Sequence, residues 1–260
     1  MRVVRLTAAV ILAVGGVACV RSPTVPSPRS PDPVVGPLPI PPPPPVPILS
    51  ATRFLAFGDS MTEGTVSPAL QKVLTAGLAV SYPYKLQERL TATYADQRIV
   101  VLNAGRGGEW ATDGVKRLPD AMREAQPNVL LLMEGVNDLN NNAGISSTIG
   151  GLDSMITYAR SQGVQVFLAT LPPQRRGGSR AYSVDLVPRF NDEVRKTAVA
   201  QGATLVDVNS ALDLALIGQD GLHPTEAGYS RLAEIFFEAI RSTFEQSSDN
   251  VRTLENVRTR

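Results

Sequence analysis

Three residues of this chain could together carry out nucleophilic catalysis. Ser60 stands in Phe54–Gly64 (FLAFGDSMTEG), where an apolar run meets Gly-Asp-Ser, so it is either a helix cap or a nucleophile. A serine hydroxyl is a weak nucleophile and needs a base within hydrogen-bonding reach. The chain has one histidine, so that base would be His223, with Asp220 three residues earlier to orient its ring. A lone histidine beside a proline is also a common structural residue.

Acyl transfer further requires hydrogen-bond donors directed at the oxyanion that develops on the substrate. Asn103–Trp110 (NAGRGGEW) is rich in glycine, so its backbone N–H groups can approach a substrate closely. Glu134–Leu139 (EGVNDL) places the amide of Asn137, with two N–H donors, after an apolar run. Glycine and asparagine are also common turn residues, so neither segment is specific by itself.

These residues need a scaffold that brings them together. Short apolar runs, rich in branched residues, predict strands buried on both faces at Arg53–Phe57, Arg98–Asn103, Val129–Met133, Val164–Thr170 and Thr204–Val208. Amphipathic spacing predicts helices around Tyr84–Leu90 and over Pro224–Phe244, with Pro83 and Pro224 in first turns. The alternation predicts an α/β fold, in which a parallel sheet carries helices on both faces.

Ligands of such sheets bind outside the carboxyl ends of the strands. The segments that follow the predicted strands should therefore converge at one edge: Gly58-Asp59-Ser60, Asn103–Glu109, Glu134–Asp138, Leu171–Tyr182 and the region of Asp207 and Asp220–His223. We expect Asp59 to fix the turn that carries Ser60.

Taken together and in this order, these blocks resemble the SGNH hydrolases, also called GDSL esterases/lipases, over about Arg53 to Phe244. The resemblance implies a three-layer αβα, flavodoxin-like fold with a five-stranded parallel sheet and no cofactor. It also implies the residue roles: Ser60, Asp220 and His223 would be catalytic, and Ser60, Gly108 and Asn137 would form the oxyanion hole.

The function implied is a serine esterase that acts on small-molecule, glycan or lipid esters. Two alternatives remain: an acyltransferase that uses the same residues with a sugar hydroxyl, and a ligand-binding domain without activity. An α/β-hydrolase would need Gly-x-Ser-x-Gly around the nucleophile, which Ser60 lacks.

Two further segments should shape the substrate pocket, Thr65–Val80 and the Leu171–Tyr182 loop. The arginines of that loop, Arg175, Arg176 and Arg180, would either meet an anionic or sugar substrate or lie in solvent.

Composition excludes several classes of function. A net charge of +1 gives no basic surface for nucleic acids. One cysteine and one histidine allow neither an internal disulfide nor a Cys/His zinc site, so we expect no bound metal. We expect a monomer.

The N-terminus has the order of a secretory signal, with two arginines, a short apolar run and small residues. We therefore expect a signal peptide over residues 1–18 and an exported protein. Cys19 resembles the lipidated cysteine of bacterial lipoproteins, although the same residues also fit ordinary cleavage and secretion. Residues 19–50 are rich in proline and predict a linker, 51–245 the hydrolase domain, and 246–260 a disordered tail.

Overall fold

The computed structural model describes residues 46–65 and 79–247. The predicted signal peptide, Cys19 and most of the predicted linker, pocket segment 65–80 and tail lie outside the described residues. The described residues all belong to one compact unit.

Five parallel strands form the central sheet, in the order β3-β2-β4-β5-β6. The strands of the described chain are β1 (Pro47–Leu49), β2 (Arg53–Gly58), β3 (Val100–Gly105), β4 (Val129–Met133), β5 (Gln165–Ala169), β6 (Thr204–Val206) and β7 (Glu245–Ser247). Within the sheet this is the order 2-1-3-4-5, the flavodoxin-like arrangement. The predicted α/β fold with five parallel strands is confirmed.

Helices cover both faces of the sheet, so the fold has three layers in the order helix, sheet, helix (αβα). They are α1 (Ser60–Glu63), α2 (Tyr82–Thr93), α3 (Ala111–Ala125), α4 (Val136–Asn140), α5 (Ile145–Ser161), α6 (Val187–Gln201), α7 (Val208–Ala211) and α8 (Glu226–Phe244), with a 3₁₀ turn at Leu214–Leu216. Helices α2 and α8 pack together in one layer, while α5 packs between α3 and α6 in the other. None of the described helices is both long enough and apolar enough to span a bilayer.

The core lies where the central strand meets both helix layers. All five residues of β4 are buried, as a continuous apolar run in a doubly covered strand should be. On the α2–α8 side, the ring of Tyr82 stacks on that of Phe236 at 4.7 Å between centroids.

Strand ends depend on pairing partners as well as on sequence. β3 begins at Val100 rather than Arg98, because its register places Val100 opposite Arg53, the first residue of β2. β1 and β7 pair antiparallel with each other and extend the fold slightly beyond residues 51–245 at both ends.

One helix prediction holds and another is wrong. Pro83 lies in the first turn of α2 as predicted. Pro224 precedes α8, because the Thr225 hydroxyl accepts a hydrogen bond from the Gly228 N–H at 3.1 Å and caps the helix there.

Candidate active site

The turn after β2 presents Ser60 with its hydroxyl available. The Asp59 carboxylate accepts a hydrogen bond from the Met61 N–H at 2.9 Å and is the N-cap of α1. Ser60 is the first helical residue, so its side chain is not the cap. Asp59 holds this turn, as expected from the sequence.

The Ser60 hydroxyl is the first member of a buried chain of three polar side chains. Its Oγ lies 2.9 Å from Nε2 of His223, and Nδ1 of the same ring lies 2.6 Å from Oδ2 of Asp220. In the tautomer with the proton on Nδ1, that N–H donates to Asp220, and Nε2 accepts the hydrogen bond from Ser60. The structure thus brings together the three residues that the sequence singled out from distant blocks.

The loop around Asp220 holds its carboxylate in the charged form. Oδ1 accepts the backbone N–H groups of Leu222 and His223, each at 3.1 Å. Burial alone would raise the pKa of Asp220, but the hydrogen bonds from the His223 side chain and from these backbone groups outweigh it and hold the pKa below its usual value. A charged Asp220 can stabilise an imidazolium on His223.

A close approach between β2 and β4 sets the Ser60 turn beside the segment that carries Asn137. Gly58 pairs with Met133, and a Cβ at position 58 would lie 2.0 Å from the Met133 carbonyl oxygen. No larger residue fits there without moving the strands apart. Ser60 and Asn137 therefore both lie within a few residues of this contact.

The two predicted oxyanion segments are connected to each other. The Asn137 side-chain amide donates to the Glu109 carbonyl at 2.9 Å, which uses one of its two N–H groups and leaves the other for a ligand. Gly108, the residue before Glu109, has φ +78°, a conformation that favours glycine. The Gly108 N–H makes no hydrogen bond with the described residues.

Sequence reasoning missed the ion pair at the end of this glycine-rich loop. The buried carboxylate of Glu109 accepts two hydrogen bonds from the Arg117 guanidinium, one of them from Nε at 2.7 Å. That guanidinium also lies over the ring of Phe57, 4.0 Å from its centroid. The sequence did show a glutamate directly after a glycine-rich loop. Its partner lies eight residues later, in a helix, and a spacing of eight across a loop–helix boundary does not predict a contact.

Two more carboxyl groups are buried at this edge of the sheet. Both carboxylate oxygens of Glu134, and Oδ2 of Asp59, have no hydrogen-bond partner among the described residues. Burial raises the pKa of Asp59 to about 7. Burial, followed by the neighbouring carboxylates of Asp59 and Glu109, raises the pKa of Glu134 well above its usual value. Buried carboxyls with few or no hydrogen bonds favour the neutral form, because a charge there would lack compensation.

The other candidates at this edge have structural partners. Asp207 accepts two hydrogen bonds from Arg195, both at 3.0 Å, and caps α7, so it is not the partner of His223. Arg175 donates to the carbonyls of Leu214 and Ile217. Within residues 46–65 and 79–247, no group of three or more His, Cys, Asp or Glu side chains is arranged to hold a metal ion.

The chain also matches a known protein family and a characterised relative. The model of the GDSL-like lipase/acylhydrolase family matches residues 56–231, well over half of the chain. A multidomain esterase of Ruminococcus flavefaciens is 26% identical over 141 residues, which are 52% of this chain and 18% of that protein. The chain thus spans less than a fifth of that relative's length.

Solved structures share the fold. An acetylxylan esterase from Geobacillus stearothermophilus superposes with a TM-score of 0.62 at 21% identity, over 74% of this chain and 95% of that one. The lipase/acylhydrolase from Enterococcus faecalis gives the same TM-score at 22% identity, over 74% and 97% of the two chains. At these identities the likeness concerns the fold.

Proposed function

The chain belongs to the GDSL-like lipase/acylhydrolase family, and on that basis we propose that it hydrolyses carboxylic esters through an acyl-enzyme on Ser60. The observation that carries the proposal is the continuous chain from the Ser60 hydroxyl through His223 to Asp220, at 2.9 and 2.6 Å. A nucleophile, a base and a group that orients the base are the minimum for this chemistry.

In the acylation step, Nε2 of His223 takes the Ser60 proton as Oγ attacks the ester carbonyl. Charged Asp220 stabilises the imidazolium and keeps the ring oriented. His223 then gives the proton to the leaving alcohol oxygen, and the acyl group remains on Ser60. In the second step, His223 removes a proton from water, which attacks the acyl-enzyme and releases the acid.

The developing oxyanion would be held by the unused Asn137 N–H, the Gly108 N–H and the Ser60 N–H. The bond from Asn137 to the Glu109 carbonyl fixes the amide before substrate arrives. Donors fixed in advance lower the barrier because they need not reorganise as charge develops.

The test is turnover of p-nitrophenyl acetate together with labelling by a fluorophosphonate probe. Ser60→Ala should reduce kcat by roughly 10³–10⁶-fold and abolish the probe adduct seen by intact mass, because the nucleophile and base act as a unit. Ser146→Ala, which removes an exposed hydroxyl on α5, is the matched control and should behave as wild type. Equal turnover by wild type and Ser60→Ala would refute the proposal.

We also propose that the chain is exported and anchored by a lipid on Cys19, with the proline-rich residues from there to position 46, before β1, as a tether. Support comes from the order of charged, apolar and small residues before this cysteine. Intact mass of protein extracted from bacterial membranes should carry the mass of the acyl chains, and Cys19→Ala should remove both that mass and the membrane fraction. A processed chain with an unmodified Cys19 would contradict the anchor.

A further inference from the structure

A polar cleft of about 340 Å³ opens beside the proposed oxyanion hole. Its wall includes Asn137 and also Leu222, the residue before His223. The cleft therefore adjoins two parts of the site at once, the amide that would hold the oxyanion and the loop that carries the base.

The side chains that line the rest of this cleft are mostly hydrogen-bonding groups: Asn140, Asn141, Ser179, Arg180 and Tyr182. Leu222 is the one aliphatic side chain among the lining residues, so the cleft does not suit a long acyl chain. Amides, a hydroxyl and a guanidinium instead match a ligand that carries several hydroxyl groups.

Hydrogen bonds connect the cleft wall to the loop that carries Asp220 and His223. The Arg180 backbone N–H donates to the Asp220 carbonyl at 2.8 Å. Asn140 accepts from the Ser183 hydroxyl at 2.7 Å and donates to the Arg180 carbonyl at 3.3 Å. A ligand group bound here would be positioned against His223 without loop closure.

Two side chains of the wall have functional groups that the protein leaves exposed. Tyr182 is 74% exposed, the highest value among the exposed aromatic residues of the described chain. Whereas Arg176 pairs with Asp185, the guanidinium of Arg180 makes no ion pair with the described residues. An exposed ring beside polar groups suits a sugar, whose C–H face stacks on the ring while its hydroxyls meet the polar groups.

We propose that this cleft is the leaving-group subsite and binds the sugar of a carbohydrate ester, with Tyr182 as the stacking platform. The proposal rests on the proposed esterase function. The bond from Ser60 Oγ to the acyl carbon forms, and the bond from that carbon to the sugar oxygen breaks. The sugar oxygen takes the proton from Nε2 of His223 and leaves as an alcohol.

The experiment compares kcat/KM for an O-acetylated xylo-oligosaccharide with kcat/KM for ethyl acetate, since both carry the same acyl group and the ethanol leaving group has no ring to stack on Tyr182. Tyr182→Ala should lower the ratio of the two by about 3- to 10-fold, mainly through KM, because stacking acts on bound substrate and transition state alike. Tyr182→Phe keeps the ring and should keep the ratio within about twofold. Tyr84→Ala removes another exposed tyrosine, on α2 and outside the cleft lining, and should leave the ratio at the wild-type value.

The outcomes separate the subsite from the esterase function. If Ser60→Ala abolishes p-nitrophenyl acetate turnover but Tyr182→Ala leaves the ratio unchanged, the subsite is wrong and the esterase function stands. If Tyr182→Ala lowers kcat/KM by the same factor for both substrates, Tyr182 is a structural residue and the subsite proposal is wrong. A higher kcat/KM for lysophospholipids than for the acetylated sugar would overturn the sugar as ligand.

Discussion

Replacing Arg117 by methionine should destabilise the protein. The Arg117 side chain is 16% exposed and that of its partner Glu109 is 1% exposed, so the pair is largely shielded from water. Removing the guanidinium leaves the Glu109 carboxylate buried without its two hydrogen bonds. It also removes the contact with the Phe57 ring at 4.0 Å.

The magnitude follows from the geometry. Unit charges about 4 Å apart attract by about 4 kcal/mol at an effective dielectric constant of about 20, and breaking a buried pair costs about 3–5 kcal/mol. Arg106 remains 3.6 Å from the Glu109 carboxylate and is exposed, so it retains a small part of the attraction. We expect a loss of about 3 kcal/mol in the free energy of unfolding.

Urea unfolding at fixed pH measures this loss. Two further variants test whether it comes from the buried charge pair. Arg123→Met removes a pair on the same helix, with Asp120, whose side chains are 68% and 66% exposed, and should cost under about 0.5 kcal/mol. Adding Glu109→Gln to Arg117→Met removes the stranded charge and should recover at least about half of the loss. A loss below about 1 kcal/mol for Arg117→Met, or no recovery in the double variant, would refute the reasoning.

Three further changes test other parts of the site. Asn137→Ala should lower kcat about 10²–10³-fold by removing an oxyanion donor, and full activity in an ester assay would contradict its role. Gly58→Ala should destabilise by about 2 kcal/mol or more in urea unfolding, since its Cβ would lie 2.0 Å from the Met133 carbonyl oxygen; a wild-type midpoint would contradict this contact. Burial raises the pKa of Asp59 from 3.8 to about 7, so the folded chain keeps a proton that the unfolded chain loses, and this lowers stability as pH rises between these values. The unfolding free energy of wild type minus that of Asp59→Asn should therefore fall from pH 4 to pH 7, and a constant or rising difference would contradict it.

The fold was predictable because the central strands β2 and β4 are apolar and largely buried. The edge strand β3 has no buried residue, so the expectation of burial on both faces is wrong there, because no further strand of the described chain covers its outer edge. β4 has the predicted bounds Val129–Met133, since every residue in it is buried and no polar residue interrupts it. Strand ends were less predictable where a neighbour decides them. β6 ends at Val206, before the predicted Val208, because Asp207 uses its carboxylate to cap α7.

The candidate site was also predictable in part from the sequence and in part only from the structure. That His223 would be the base followed from its being the only histidine, and Asp220 from its place three residues earlier. Asp207 also lies at this edge of the sheet, and only the tertiary structure shows that Arg195 already binds its carboxylate.

By itself, the sequence determined the class of fold and the identity of the polar residues at the carboxyl edge of the sheet, because period and composition are local properties of the chain. The contacts of the Ser60 side chain were decided by tertiary structure, in which Asp59 caps the helix and the serine hydroxyl lies against His223. Tertiary structure also decided the ion pair of Glu109 with Arg117, the burial of the Glu134 carboxyl without a partner among the described residues, and the cleft at Tyr182. Each depends on which groups long-range packing brings together and shields from water, and no short pattern in the chain encodes those distances.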